Sequence, residues 1–562
     1  MNTLNLGKIK LAWKGAYNPA ESYTKDDLVS FSGSSYICIQ DNTGYAPPDP
    51  FYWDLMASGT EQLSQLGDMV IHNGTQAVAL NVGAENTFLR IKNGLPAWGS
   101  QESRPGTTVK SLMKGGNYGN QQVASFLMND GSLRAVGRAL NYSNADTNNQ
   151  HIYLPQTVPV NPDKPPTAPF KAIYRNYASF FALTEDGQVY SWGHNQNGML
   201  GHGDALNRHH AIRIDWFVDN GITIADIVCP NDCLWAASTT FFITTTGELY
   251  ACGYNGYGQL GDGTTSNSYI PVRCGVLSGV KQVSLSLSQY MSVYAIDGND
   301  DLWAWGFNSQ GQLGQGDTTH RYSPTKVTNL SDVKQIFANG GDATTSGIQI
   351  NTHVIALLND GTMYGCGDNG NGRLGVGDAA FDRTSFTLTS GSLPVIKEIF
   401  AGGGYYGYSA ALDVNDELWT WGYNGYGILG LGDDTERTAP VKVTADFQGN
   451  IEKLILGGNY SYSQIAVLDK NGRLWGCGYN GNGQLALGNG FNVSNKVFLK
   501  MKTPLTNIKI VDAVFAGHGN EGTLYALTED GRVLSSGHNT YGQCGTQSGN
   551  LHKTDALYTM LF

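Results

Sequence analysis

Residues 181–204 read FALTEDGQVYSWGHNQNGMLGHGD. An apolar run meets a polar Glu185-Asp186-Gly187 turn, and a second β-rich run ends in Trp192-Gly193. A glycine-rich segment follows, in which Leu200 is apolar among polar neighbours. Asp-Gly between two β-rich runs signals a hairpin and predicts a two-residue turn with positive φ at both central positions. The glycines of GMLGHGD suit further tight turns, and the leucine is expected to plug inward.

The pattern recurs from about residue 109 to the end: FLMNDGSLRAVG, FALTEDGQVYSWG, FITTTGELYACG, YAIDGNDDLWAWG, ALLNDGTMYGCG, ALDVNDELWTWG, AVLDKNGRLWGCG and YALTEDGRVLSSG. The final glycines are Gly137, Gly193, Gly253, Gly306, Gly367, Gly422, Gly478 and Gly537, spaced 53 to 61 residues apart. Before each hairpin lies a strand of period two, such as VKQIFANG and IKEIFAGGG. One unit of four short strands cannot bury both faces of its own sheet. Packing unit against unit around a ring does so, and closing the ring protects the edges. The residue before each glycine is Val136, Trp192, Cys252, Trp305, Cys366, Trp421, Cys477 or Ser536. Exchange of Trp with Cys there predicts a core site filled by large and small groups in turn.

The ALTEDG-type hairpin, the WG ending and the following NxxGQLGxGD, as in WAWGFNSQGQLGQGD, resemble the repeat of the regulator of chromosome condensation family. The resemblance spans about 450 residues. It implies an all-β fold, a β-propeller of about eight repeat units. Family members usually have seven blades, so seven blades plus an irregular first unit is the alternative. That first unit, RAVGRALNYSNADTNN, lacks the GQLG element. The last unit ends at TDALYTMLF, and end-to-end strand closure with the segment near 109–116 is expected. The family's founding member is an exchange factor for a small GTPase and binds nucleosomes. This chain shows neither a basic tail nor an evident inserted wedge, while phage and bacterial relatives use the propeller as a binding surface.

Residues 1–59 form a different unit, WKGAYNPAESYTKDDLVSFSGSSYICIQDNTGYAPPDPFYWDLMASG, expected to be a three-stranded module that leans on its aromatic residues. It resembles the small chitinase-type carbohydrate-binding module at Tyr23, Asp27, Val29, Phe31, Gly33 and Tyr36, with Asp26 where that family has glycine. The resemblance implies sugar stacking on Trp13, Tyr17, Tyr36 and Trp53. The residues alone read equally as the core of a tiny domain. Residues 60–105 form a fibre-like segment with turns at Asn73-Gly74 and Asn93-Gly94. Gly67, Asp68, Gly74, Leu80, Gly83, Leu89, Gly94, Pro96 and Trp98 resemble a segment of tailed-phage fibre proteins, which implies chain-to-chain assembly, a trimer being favoured. The propeller is expected over 106–562.

The chain has 562 residues, a net charge of −12, 15% charged residues and 73 glycines. No basic run suggests nucleic-acid binding. No stretch is long and apolar enough for membrane insertion, and no signal peptide is expected. No paired CxxC framework stands out among the eight cysteines, and Cys229 and Cys233, four apart, are read as free thiols, a disulfide being the alternative. No catalytic constellation, cofactor motif or metal motif is found. His194, His202, His209 and His210 read as a solvated loop. Asp204, Asp317, Asp378 and Asp433 recur at one turn position, where carboxylates accept backbone N–H bonds.

The loops are rich in tyrosine. Tyr254, Tyr257, Tyr405, Tyr408, Tyr423 and Tyr426 are the ligand-binding candidates of the propeller, since tyrosine offers a large contact area with few rotors; Tyr406, Tyr460, Tyr462 and Tyr479 lie nearby. The sequence thus points to a non-enzymatic virion protein of a tailed bacteriophage, a tail fibre, whisker or receptor-binding appendage. Its expected partners are other virion proteins through the N-terminal region and a host cell-surface glycan or protein through the propeller loops. It would be made in the bacterial host cytoplasm. The alternatives are a bacterial secreted binder or effector with chitin or protein affinity, and a glycan-cleaving enzyme, which would need paired acids in a cleft.

Overall fold

Alternating apolar residues and closely spaced turns fold residues 105–562 into eight four-stranded antiparallel sheets, each built from strands adjacent in the chain save where blade 5 is interrupted. The computed structural model describes residues 12–25, 27–31, 34–47, 53–57, 69–72, 77–80, 87–92, 95–100, 108–113, 123–137, 152–176, 178–230, 239–286, 290–340, 342–344, 347–349, 351–404, 406–458, 462–488, 494–503, 508–517, 522–545 and 557–560. Blade 1 comprises Val109–Leu112, Val123–Met128, Leu133–Gly137 and Ile152–Thr157. Blade 2 comprises Phe170–Asn176, Ser179–Thr184, Val189–Gly193 and Arg208–Arg213, and blade 3 Ile224–Val228, Thr239–Thr244, Leu249–Gly253 and Ser268–Arg273. Blades 4 to 8 begin with Gln282–Leu285, Val333–Asn339, Ile396–Gly402, Ile451–Gly457 and Ile510–Ala516.

The core lies between blades. One cluster joins Phe241, Ile243 and Leu249 of blade 3 to Val293, Ala295 and Trp305 of blade 4, and comparable clusters fill the neighbouring interfaces. The motif leucines Leu200, Leu260, Leu313, Leu374, Leu429 and Leu485 are fully buried, as are all eight residues of the Trp/Cys site. That site also explains its own chemistry. Trp305 Nε1 donates to Gln259 O (3.0 Å) and Trp421 Nε1 to Arg373 O (3.0 Å), each in the motif loop of the preceding blade. The thiols of Cys252 and Cys477 reach Met199 O (3.3 Å) and Ile428 O (3.2 Å) in the same way. At these four positions an apolar body with one donor clamps a blade to its predecessor.

The first strands are also tied side to side. Gln282 Nε2 donates to Ile336 O (2.9 Å) and its Oε1 accepts from Ile336 N (3.2 Å); Gln335 repeats the exchange with Ile399 (3.3 and 2.9 Å). The glutamine amide here imitates a peptide and extends the strand ladder into the next blade. On the outer strands, Pro271, Pro324 and Pro440 remove donors from edges that would otherwise invite pairing.

Three expectations change, and one feature is new. The hairpin turns are not two-residue turns. Gly187 N donates to Thr184 O and Thr184 N to Gln188 O (both 3.0 Å), leaving a three-residue loop in which only Gly187 has positive φ (81°). In the turns without glycine at this place, Asp300 (63°) and Asp416 (59°) take the same conformation. Closure involves no exchanged strand, because Tyr558–Thr559 completes blade 8 from its own end. The ring closes by packing: Phe126 and Tyr525 meet edge to face at 5.8 Å within one core, and Val109 N donates to Gly531 O (2.7 Å). Blade 5 carries an inserted hairpin, Asp342–Thr344 with Gly347–Gln349, which the sequence did not betray.

The other unit, residues 1–104, holds a four-stranded sheet rather than three strands, in the order Ala12–Ala16, Asp27–Phe31, Ser34–Cys38, Trp53–Ala57, beside the short pair Ser22–Tyr23 and Asn42–Thr43. Met69–His72 pairs with Ala77–Leu80, and Thr87–Lys92 with Leu95–Ser100. In the second hairpin Lys92 pairs with Leu95, so residues 93 and 94 alone connect the strands.

Candidate functional site

In a four-stranded antiparallel sheet, the connection from strand one to two and that from strand three to four emerge on the same side. The Asp-Gly hairpins and the links between blades emerge on the other. The tyrosine-rich segments belong to the first set and therefore share one face of the ring.

Their positions are fixed by the motif asparagine. Asn424 Oδ1 accepts from Leu429 N (2.9 Å), while its Nδ2 donates to Asp433 O (2.9 Å) and Thr435 O (3.0 Å). Asn255 does the same with Leu260 N (2.9 Å), Thr264 O (3.1 Å) and Ser266 O (3.0 Å). The recurring aspartates complete the brace. Asp433 accepts from Thr435 N (2.9 Å) and pairs with Arg437 (2.8 Å); Asp204, Asp317 and Asp378 pair with Arg208, Arg321 and Arg383 at 2.6, 2.7 and 2.7 Å. The hydrogen bond from Arg437 holds the Asp433 carboxyl below the usual carboxylate range. Among the described residues no group of three or more His, Cys, Asp or Glu side chains gathers as a metal would require.

On this rigid base the rings lie flat. A Cβ on Gly425 would stand 2.0 Å from the Tyr423 hydroxyl, and one on Gly256 2.1 Å from that of Tyr254, so the glycine of Tyr-Asn-Gly is the floor under its own tyrosine. Three aromatic groups result. Tyr257 meets Tyr290 (5.0 Å) and Phe307 (5.1 Å), and Phe307 meets His320 (4.7 Å). Tyr406 stacks on Tyr423 (4.6 Å, 25°). Tyr426 stacks with Tyr462 (5.8 Å, 30°), and both meet Tyr479 edge-on (5.4 and 4.8 Å). Burial first and the neighbouring tyrosine second push the Tyr257 and Tyr423 hydroxyls up to about 12, so both stay neutral donors. Tyr426 is exposed and has φ 59°, a left-handed conformation that costs a bulky side chain energy. Asn371 donates to Glu436 (2.6 Å) and Lys496 pairs with Asp434 beside this group.

Of the propeller candidates, Tyr254, Tyr257, Tyr423 and Tyr426 thus lie on the face. Tyr408 does not: it opens the second strand of blade 6 and is fully buried. Tyr405 lies outside the described residues. In the N-terminal unit Tyr36 is core, packed with Tyr23, Val29 and Cys38, so its ring cannot serve as a sugar platform. Tyr17 is half-buried and stacks on Tyr23 at 5.4 Å. The side chains of Trp13 and Trp53, all side chains of residues 60–105, and Cys233 lie outside the described residues. His194 is buried rather than solvated, and His202 bonds Ser191 Oγ at 2.9 Å. Tyr290, Phe307 and His320 were not anticipated. One signal did exist for Phe307: the residues after the eight hairpin glycines are Arg138, His194, Tyr254, Phe307, Asp368, Tyr423, Tyr479 and His538, a mostly aromatic column.

Fold and face together define an eight-bladed, all-β propeller that presents aromatic loops from rigid turns. The repeat is of a known kind: residues 186–233, 246–294, 299–345 and 415–463 match the Regulator of chromosome condensation (RCC1) repeat, and residues 351–373 match a second form of it. The Ultraviolet-B receptor UVR8 of Arabidopsis thaliana is 28% identical over 367 residues, covering 65% of this chain and 76% of that protein. The E3 ubiquitin-protein ligase HERC2 of Homo sapiens is 29% identical over 248 residues, 44% of this chain but only 5% of that protein. Among solved structures, Prp20p from Saccharomyces cerevisiae aligns with 69% of this chain and 89% of its own, at 19% identity and a TM-score of 0.49.

Proposed function

We propose that this chain is a non-catalytic binding protein that works through the aromatic face of its propeller. The single supporting observation is that separate loops from neighbouring blades converge their rings into stacked groups on hydrogen-bonded turns, with the strained Tyr426 ring left exposed. Stiff rings with neutral hydroxyls lose little entropy on contact, which suits adhesion. The relatives named above, a receptor and a ubiquitin ligase, share repeats of this type and differ in activity, in keeping with a scaffold whose loops set the partner.

The finer reading is a virion appendage of a tailed bacteriophage. What supports it is the resemblance of residues 60–105 to fibre segments, placed between a carbohydrate-binding-like unit and the propeller. The N-terminal region would join other virion proteins in a homo-oligomer, and the aromatic face would meet a glycan or protein on the host surface. Gold-labelled antibody against the chain should decorate phage particles in electron micrographs; unlabelled particles throughout would refute the virion reading. Retention of the full chain on chitin beads without particle labelling would favour the secreted binder. For the face itself, Tyr426→Ala and Tyr257→Ala should each weaken binding to host cells severalfold. Undiminished binding by both would refute its role.

A further inference from the structure

The link from blade 2 to blade 3 departs from its counterparts. In the links after blades 3, 4 and 6, a buried apolar residue, Leu277, Leu330 or Phe447, plugs the interface, preceded by Val276, Asn329 or Asp446. After blade 2 the plug is Phe217, and Trp216 stands before it on a short helix, Asp215–Asp219. The link is also longer: seven positions separate Phe217 from Ile224, against three from Leu277 to Val280. The added residues wall a cleft of about 800 Å³, whose other side is the hairpin of blade 3 and its outer strand. That volume falls within the roughly 300–1,000 Å³ of small-ligand sites.

The lining is specific in character. Trp216 and Tyr250 are 5.6 Å apart and inclined at 59°, forming an angled aromatic wall. Beside Tyr250 on the same strand pair, Glu248 and Arg273 form an ion pair at 2.7 Å, and Thr223 and Thr246 add hydroxyls. Asn220 Nδ2 bonds Trp216 O (2.7 Å) and fixes the turn that carries the ring. A lipid tail would have to lie against the charged Glu248 and Arg273. An anion would find its one arginine already neutralised. A peptide could not add as a strand, because Pro271 interrupts the outer edge. A pyranose ring suits all of it: its C–H face packs on the indole while its rim hydroxyls reach both a carboxylate acceptor and a guanidinium donor.

We propose that this cleft is a saccharide-binding site, with Trp216 as platform and Glu248 and Arg273 as hydroxyl readers. It lies on the hairpin side of the ring, opposite the tyrosine face, and stands independently of that face's role. The test is saturation-transfer NMR on the full chain with methyl glycosides of glucose, galactose, mannose, rhamnose, N-acetylglucosamine and N-acetylgalactosamine. At least one should receive saturation. The signal should fall at least tenfold in Trp216→Ala and in Thr245→Trp, which fills the cleft mouth from an exposed position, while Tyr426→Ala and Trp13→Ala leave it intact. Melting curves of the variants serve as the folding control. Transfer to none of the glycosides, transfer surviving in Thr245→Trp, or transfer abolished by Trp13→Ala would each overturn the proposal.

Discussion

The Trp/Cys site allows a prediction in which one substitution has two outcomes. Trp305 and Trp421 donate to the motif loop of the preceding blade, but Trp192 follows blade 1, whose sequence lacks that motif. Its buried Nε1 meets no acceptor among the described residues. Tryptophan to phenylalanine removes the N–H and part of the ring at all three positions, so the packing loss is common to them. At Trp305 and Trp421 it also breaks a buried hydrogen bond worth about 0.5–1.5 kcal/mol. At Trp192 it relieves an orphaned donor costing about 1–3 kcal/mol. The difference between the two classes is therefore about 1.5–4.5 kcal/mol. With an unfolding entropy of about 2.1 cal/mol/K per residue over roughly 450 residues, that is roughly 1.5–4.5 °C in melting temperature. Differential scanning calorimetry of the three single variants should place W305F and W421F together, and W192F above them by that margin. If W192F melts with or below the other two, the clamp reading of this position is wrong.

The turn geometry predicts that Gly187→Ala costs about 2 kcal/mol or more, from its positive φ and a Cβ 2.8 Å from Ile224 O, while Ala486→Gly, where relief of a positive φ (48°) offsets the lost methyl, changes stability by less than about 1 kcal/mol; urea titration compares them. Burial, aided by Arg373 and Arg208, depresses His353 to about 3 and His202 to about 4. The unfolded chain therefore binds more protons than the folded one below about pH 6.5. The stability from these neutral histidines is full above that pH and falls as pH drops toward 4, by at most about 1.4 kcal/mol per unit for each. His353→Gln should flatten the profile between pH 6.5 and 4, and an unchanged slope would contradict this. Cys38, Cys229, Cys252, Cys274, Cys366, Cys477 and Cys544 are all buried, so Ellman's reagent should reach them only on unfolding; fast labelling of any one would count against the packing.

The blades were legible because closure imposes the same demands eight times: an apolar second strand, a hairpin, a clamp residue, a leucine plug. Even the Trp pairing was written there. Asp297, Asp413 and Asp469 accept from Trp303, Trp419 and Trp475 at 2.9, 3.2 and 3.1 Å, and where Thr184, Thr244 or Thr528 replaces the aspartate the tryptophan is gone too. The turn type was misread because Asp-Gly suits two loop lengths, and only the strand register separates them. Blade closure was misread because the last unit looks truncated, whereas two residues suffice to finish its sheet. The inserted hairpin of blade 5 lacks an Asn-Gly or Asp-Gly signal. Tyrosines near loops were visible, but whether each faces out depends on where a strand begins, and Tyr408 falls just inside one. The groupings of Tyr257 with Tyr290, Phe307 and His320 join segments distant in sequence, which no local pattern records. The blade 2–3 cleft needs the same knowledge of which segments lie side by side.

Eight self-contained blades form a ring that closes without an exchanged strand. An electron cryo-microscopy map of the full chain tests it most directly. It should show eight sheets about the axis, with residues 557–560 finishing blade 8 and Phe126 against Tyr525 across the seam. Seven sheets with the first unit outside the ring, or residues 108–113 paired into blade 8, would contradict it.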